Sequence, residues 1–338
     1  MTPRLGARSF GTVIFAAFFL TAIAAAPQTA TTRSGSSEGP AASGSPASQK
    51  RYYYYETPRS SLDVIVHNVP PSDAARLSIL QNLFSQANCT GDRLRTQPVE
   101  DKHDPGAQNL ICTWPASSQS SIVVVAHYRH QGKGASALDD WSGAALLPAL
   151  CLALQAQDRH NHWIFLESAG SRGDAKLLKV LSPLVIRHIR AVVAIDAIGL
   201  DSTLRFFTPS DPIDFSPADV HLQIELLAAS LIDHRVSTPS LVSPKPWLAV
   251  DDTRPFRDHN IADILLHSVP PDKSRWPGSE KDLPSAIDGN AYYNNYRAIV
   301  TFLVALDSDA SRLNTPGNPC WGAQPDAQLK LNDLPCIR

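Results

Sequence analysis

"SIVVVAHYRHQGKGASALDDWSGAALLP", residues 121–148, decides the architecture. Residues 121–128 form a short apolar run, rich in β-branched side chains and without alternation. That pattern marks a strand covered on both faces, hence a central one. It stops at His127-Tyr128-Arg129-His130, and a loop containing Gly132 and Gly134 follows. Asp139 and Asp140 then open an apolar helical run, in the first turn, where the helix dipole favours acids. In open α/β sheets ligands bind beyond the carboxyl ends of the strands, which is where this histidine falls.

The same alternation extends in both directions. "SDAARLSILQNLFSQAN" (72–88) has helical periodicity behind a Ser72 cap, and "RLRTQPVE" and "QNLICTWPA" read as strands. Beyond residue 139 a helix runs to about 157. A buried strand "HWIFLESAG" (162–170) is next, then a helix over 174–189 kinked at Pro183. "AVVAIDAIGL" and "LRFFTP" are strands, "ADVHLQIELLAASLID" a helix, "ADILLHS" a short strand and "NAYYNNYRAIVTFLVALD" the last helix. Strand–helix alternation predicts one α/β domain, a three-layer α/β/α sandwich around a mostly parallel mixed sheet, within residues 51–310.

Three polar residues sit at strand ends: His127, Glu167 and Asp196. An acid in an otherwise apolar strand is costly to bury unless a cation or a donor meets it. One imidazole with several carboxylates, Asp139 among them, suits zinc, with one acid left to activate water. Gly-x-Ser-x-Gly is absent, since Ala169 takes the first glycine position of "AGSRG".

With "AHYRHQGKGASALDDWSGAALLP", "FLESAGSRGDAKLL", "AIDAIG" and "YYNNYRAIVTFLVALD", residues 70–308 resemble the co-catalytic zinc aminopeptidases of the bacterial leucyl aminopeptidase type. That family also holds glutaminyl cyclases and non-peptidase relatives. The resemblance implies a zinc-aminopeptidase-like fold. It places His127, Asp139 and Asp196 as ligands of a first metal (Asp140 in place of Asp139 if the gap is shifted by one) and Glu167 as the catalytic general base.

The second-metal positions depart from the pattern. Ser168 stands for a glutamate, and Pro277 or Gly278 stands near a late histidine, with His267 about ten residues too early. Arg129 takes the place of the carboxylate that orients the first histidine, and its charge could pair with Asp139 or Asp196. Thr253 takes a histidine position in "VDDTRPFRDH". The resemblance thus implies at most one zinc, possessed by a hydrolase of N-terminal peptide bonds or small amides. The alternative is an inactive relative that binds peptides or proteins. His130, His259 and His267 read as surface or structural residues, and Asp251, Asp252 and Asp258 as a solvated group with Arg254 and Arg257.

At the start of the chain, Arg4 and Arg8 precede the apolar residues 10–26, which end in small residues. This is the order of a secretory signal over residues 1–26, with an uncleaved anchor as the competing reading. Residues 27–50 are Ser, Ala, Gly, Pro and Thr and read as a disordered linker. The mature chain is expected to be secreted or periplasmic, with no other membrane span. Five cysteines fit export: Cys89 with Cys112, Cys320 with Cys336 closing the tail 311–338, and Cys151 as a buried free thiol. A net charge of −2 and the lack of a basic run argue against nucleic acid as a partner.

Overall fold

In the computed structural model the described residues are 54–101, 105–130, 132–156, 158–207, 217–233, 237–241 and 253–313. The expected signal, linker, Asp251, Asp252 and the disulfide-closed tail beyond Leu313 lie outside them.

Among the described residues eight strands form one sheet: β1 (Leu94–Pro98), β2 (Gln108–Trp114), β3 (Ser121–His127), β4 (His162–Ser168), β5 (Ile189–Ile195), β6 (Arg205–Phe207), β7 (Ser240–Leu241) and β8 (Asp263–His267). Their order is β1-β2-β4-β3-β5-β8-β6-β7. The centre, β4-β3-β5-β8, is parallel, while β1, β2 and the β6–β8 pair are antiparallel. Every residue of β3 is buried, as its unbroken apolar pattern requires.

The helices are α1 (Arg59–His67), α2 (Asp73–Gln86), α3 (Ser142–Ala144), α4 (Leu147–Ala153), α5 (Ser171–Val180), α6 (Pro183–Arg187), α7 (Pro217–Ile232), α8 (Arg254–Arg257) and α9 (Gly289–Leu313). One core joins α1, α2, α4, α7 and α9 to the first face of the sheet, with Val124, Phe165, Val193 and Phe302 inside it. A smaller core joins α5 and α8 to the other face through Val123, Val125, Leu166, Leu177 and Phe256. Side chains alternate across each strand, so the two faces draw on alternate residues of β3. The result is the expected three-layer sandwich.

Ser72 caps α2 by accepting from the Ala75 amide at 3.3 Å. The single kinked helix expected over 174–189 is two helices. Leu181 is extended, Ser182 caps α6 and Pro183 sits in its first turn, where the missing N–H costs nothing. The expected helix start at Asp139 is also revised. Asp139 (φ −74°, ψ 119°) and Asp140 (φ 82°, ψ −69°) form a non-helical kink inside the turn Ala137–Trp141, and regular helix begins only at Ser142. The Asp282 side chain takes the Leu138 and Asp139 amides, at 2.6 and 3.2 Å, which prevents them from entering a helix.

Cys89 and Cys112 form a disulfide, and Cys151 is a buried free thiol, as expected. Ala137–Ala156 is long and apolar enough to cross a membrane by composition, which the sequence reading overlooked. Since 89% of its most apolar window is buried in the fold, it is a core segment.

Candidate functional site

Strand register sets the site. In the β3–β4 pair, Ala126 lies opposite Glu167 and His127 opposite Ser168. Asp196 follows the last residue of β5 directly, its amide held by the Leu266 carbonyl at 3.0 Å. His127, Glu167 and Asp196 therefore stand at the carboxyl ends of three adjacent parallel strands.

His127 is 9% exposed, and its Nε2 lies 3.2 Å from an Asp174 oxygen. Asp174 is fully buried in the first turn of α5. The sequence reading had left this imidazole without an orienting acid, because Arg129 replaces the usual one. The structure supplies the acid from another element. A buried aspartate in an amphipathic helix start was the available signal, but capping explained it equally well.

Glu167 is 0% exposed, and neither of its carboxyl oxygens has a hydrogen-bond partner among the described residues. Burial raises its pKa well above the ordinary carboxylate range, and the nearby His127 opposes the shift. Tyr292 of α9 is close by. Its hydroxyl donates to the Ser142 carbonyl at 2.9 Å, and its own pKa is raised by burial and then by Glu167.

Asp140, the alternative to Asp139 in the sequence reading, is 3% exposed with one carboxyl oxygen unpartnered. Its amide donates to Asp196 at 3.4 Å. Burial, then Asp139, then Asp196 raise its pKa strongly, against His127 and Arg76. So the acids do gather. Burial and the neighbouring carboxylates disfavour the charged form of Asp140, as burial does that of Glu167.

A guanidinium faces this cluster, and it comes from Arg76 of α2, a residue the sequence reading missed. Arg76 is 1% exposed and donates to the carbonyls of Tyr128 (3.0 Å) and Ala135 (2.7 Å), anchoring the loop between β3 and the acids. Burial lowers its pKa, while Asp140, Asp73 and Asp282 support its charge. Arg129 is held by Asp101 at 3.1 Å and Asp73 at 3.4 Å, and Asp101 also binds Arg172.

The second-metal positions are closed by other contacts. The Ser168 hydroxyl donates to the Gly170 carbonyl at 2.8 Å. Gly278, at φ +67°, comes so near Asp139 that a Cβ on it would lie 3.2 Å from an Asp139 oxygen. Its amide donates to Asp282 at 2.8 Å. Thr253 accepts from Arg257 at 2.5 Å, and Arg257 pairs with Asp263 at 3.0 Å, so Arg257 is not simply solvated with Asp258 as expected. Arg254 and Asp258 do form an exposed pair at 3.9 Å. His130 and His259 are exposed and bond to local carbonyls, and His267 is buried with Nδ1 accepting the Val269 amide.

Among the described residues no three His, Cys, Asp or Glu side chains converge in a way that could hold a metal ion. The void that His127 and Asp196 line has a volume of about 10 Å³, at the lower limit for a single water. What the arrangement offers chemically is two buried acids, Glu167 and Asp140, whose pKa values burial raises, near an imidazole oriented by Asp174.

Comparison with known proteins agrees with the fold. The model of peptidase family M28 matches residues 109–303, more than half of the chain. The glutaminyl cyclase of an Acidobacteriales bacterium superposes with TM-score 0.60 at 14% identity, over 80% of this chain and 99% of that one. The Porphyromonas gingivalis glutaminyl cyclase gives TM-score 0.58 at 15% identity, over 73% and 97%. A zinc aminopeptidase from Bacillus subtilis gives TM-score 0.49 at 16% identity, over 58% of this chain and 49% of that one, so this chain spans about half its length. No curated protein matches by sequence. With His127, Glu167 and Asp196 at the carboxyl ends of adjacent parallel strands, and a family match running from β2 into α9, the chain belongs to peptidase family M28.

Proposed function

We propose that this chain is an exported family member that works without hydrolysis, as a peptide- or protein-binding module. The observation that supports the reading most directly is the donor set. His127, Asp139 and Asp196 do not form a three-ligand group among the described residues. Ser168, and Pro277 or Gly278, stand near where the family resemblance implies further ligands, and the Ser168 hydroxyl and Gly278 amide are engaged elsewhere. Zinc needs at least three protein ligands in a catalytic site, and this donor set does not fit it. Burial raises the pKa of Asp140 and Glu167, and Arg76 places a positive charge near Asp140.

A second reading, a hydrolase of N-terminal peptide bonds or small amides with one zinc, draws on two observations. Asp174 orients His127 as a ligand histidine is usually oriented. Glu167 has the raised pKa of a proton-transfer group. In that reading His127, Asp139 and Asp196 hold the ion and Glu167 is the base.

Elemental analysis after zinc incubation and desalting separates the two readings, paired with aminoacyl chromogenic and N-terminal glutaminyl substrates. The binding-module reading expects well under one zinc per chain and no turnover above that of Glu167→Gln. One zinc per chain, with turnover abolished by Glu167→Gln, would overturn it.

A further inference from the structure

Outside the strand-end cluster, the loop that carries Gly278 builds a groove of about 530 Å³. Trp276 lies in it, half-buried, with Lys273 Nζ 5.0 Å and Lys281 Nζ 5.3 Å from the ring centroid. Lys133, Arg275 and Lys281 line it as cations, and Asp272 and Glu280 as acids. Lys133 and Glu280 approach only to 3.9 Å, and both are largely exposed, so that pair adds little. Arg275 is exposed and has no acidic partner among the described residues. With Lys273 at the ring, cations outnumber acids here on a chain whose net charge is −2.

The walls are held firmly. The Lys133 amide donates to the Gly278 carbonyl at 3.0 Å and the Ala135 amide to Asp282 at 2.8 Å. The Ser279 hydroxyl donates to the Trp276 carbonyl at 2.7 Å and accepts from the Lys281 amide. A preformed aromatic floor with a cationic rim limits the entropy lost on binding.

We propose that this groove is a docking site for an acidic peptide segment, with an apolar or aromatic side chain against Trp276 and carboxylates on Arg275, Lys281 and Lys133. It deepens the binding-module reading and rests on it. The interleaved Asp272 and Glu280 favour a peptide, whose charges are spaced and whose N–H groups they can accept, over the continuous charge of a nucleic-acid backbone.

The test uses the mature protein and a fluorescein-labelled peptide of Asp and Glu with one central Trp, read by anisotropy. Saturable binding is expected, weakened by salt and about tenfold by Arg275→Glu or Lys281→Glu. Arg187→Glu, on α6 and not among the groove residues, should leave it unchanged. The proposal is overturned by no binding, by equal loss with Arg187→Glu, or by tighter groove-dependent binding of a single-stranded oligonucleotide. Zinc content is measured separately, so a metal-loaded hydrolase that still binds the peptide refutes the parent reading and leaves the groove standing.

Discussion

Asp263 shows how a single buried acid makes the fold sensitive to pH. It opens β8 at 1% exposure, with burial pushing its pKa up to about 6 against the stabilising contacts of Thr253 and Arg257. Its folded pKa lies above the unfolded value, so the native state binds the extra proton between about pH 4 and 6. Stability contributed by this group is therefore present at low pH and lost as pH rises through that window. Asp263→Asn removes the titration, so its stability relative to wild type should improve by roughly 2–3 kcal/mol from pH 4 to pH 7. Urea unfolding of both proteins at several pH values checks this, and a pH-independent difference would sink it. Glu167 follows the same sign, since burial raises its pKa and favours the neutral form over the ionised one. Glu167→Gln, which keeps volume and removes the ionisable proton, should fold at least as stably as wild type at pH 7. A loss above about 2 kcal/mol on that substitution would instead mean that the ionised carboxylate is needed.

At the scale of elements, the site depends on two loops that meet backbone to backbone. A Cβ on Gly132 would lie 2.4 Å from the Gly278 carbonyl, at a φ of +76° that L side chains rarely adopt. Gly132→Ala should therefore cost about 2–3 kcal/mol in thermal or urea unfolding and loosen the Trp276 groove with it. If the variant unfolds with wild type, the two loops are not coupled as described. This meeting also explains what could be read from the chain. The strand β3, the Ser72 cap and the disulfide at Cys89 are local patterns of branching, capping and spacing, and they were legible. So was the strand-end placement of His127 and Glu167. The kink at Asp139-Asp140 was not, because its cause is Asp282, more than a hundred residues later. Asp174 and Arg76 were missed for the same reason: each is an ordinary helix residue until tertiary packing aims it at His127 or at the acids.

For the molecule as a whole, α9 is the element that joins the site to the opposite, amino-terminal end of β4. Near its start, Tyr292 reaches the Ser142 carbonyl and Asn295 accepts the Gly199 amide at 3.2 Å. Further along, Arg297 pairs with Asp233, and Tyr296 accepts the Thr57 amide, which ties down the N-terminal approach to the fold. At Asp307, 3% exposed, one carboxylate accepts the His160 and Asn161 amides, the Asn161 side chain and the Trp163 indole N–H. These donors open β4, the strand whose other end presents Glu167. Asp307→Ala would leave several buried donors unmet, and Arg159, whose charge Asp307 supports, without its acid. Each unmet donor costs about 1–3 kcal/mol, discounted for relaxation and water entry. The expected loss is about 3–5 kcal/mol in urea unfolding, with Asp307→Asn intermediate because its single carbonyl can keep part of the set. The same variants should speed hydrogen exchange at β4 amides before those of β3, since the lost anchor is on β4 alone. Uniform acceleration across the sheet would mean that Asp307 acts only through global stability and that α9 is no specific brace for the strand carrying Glu167.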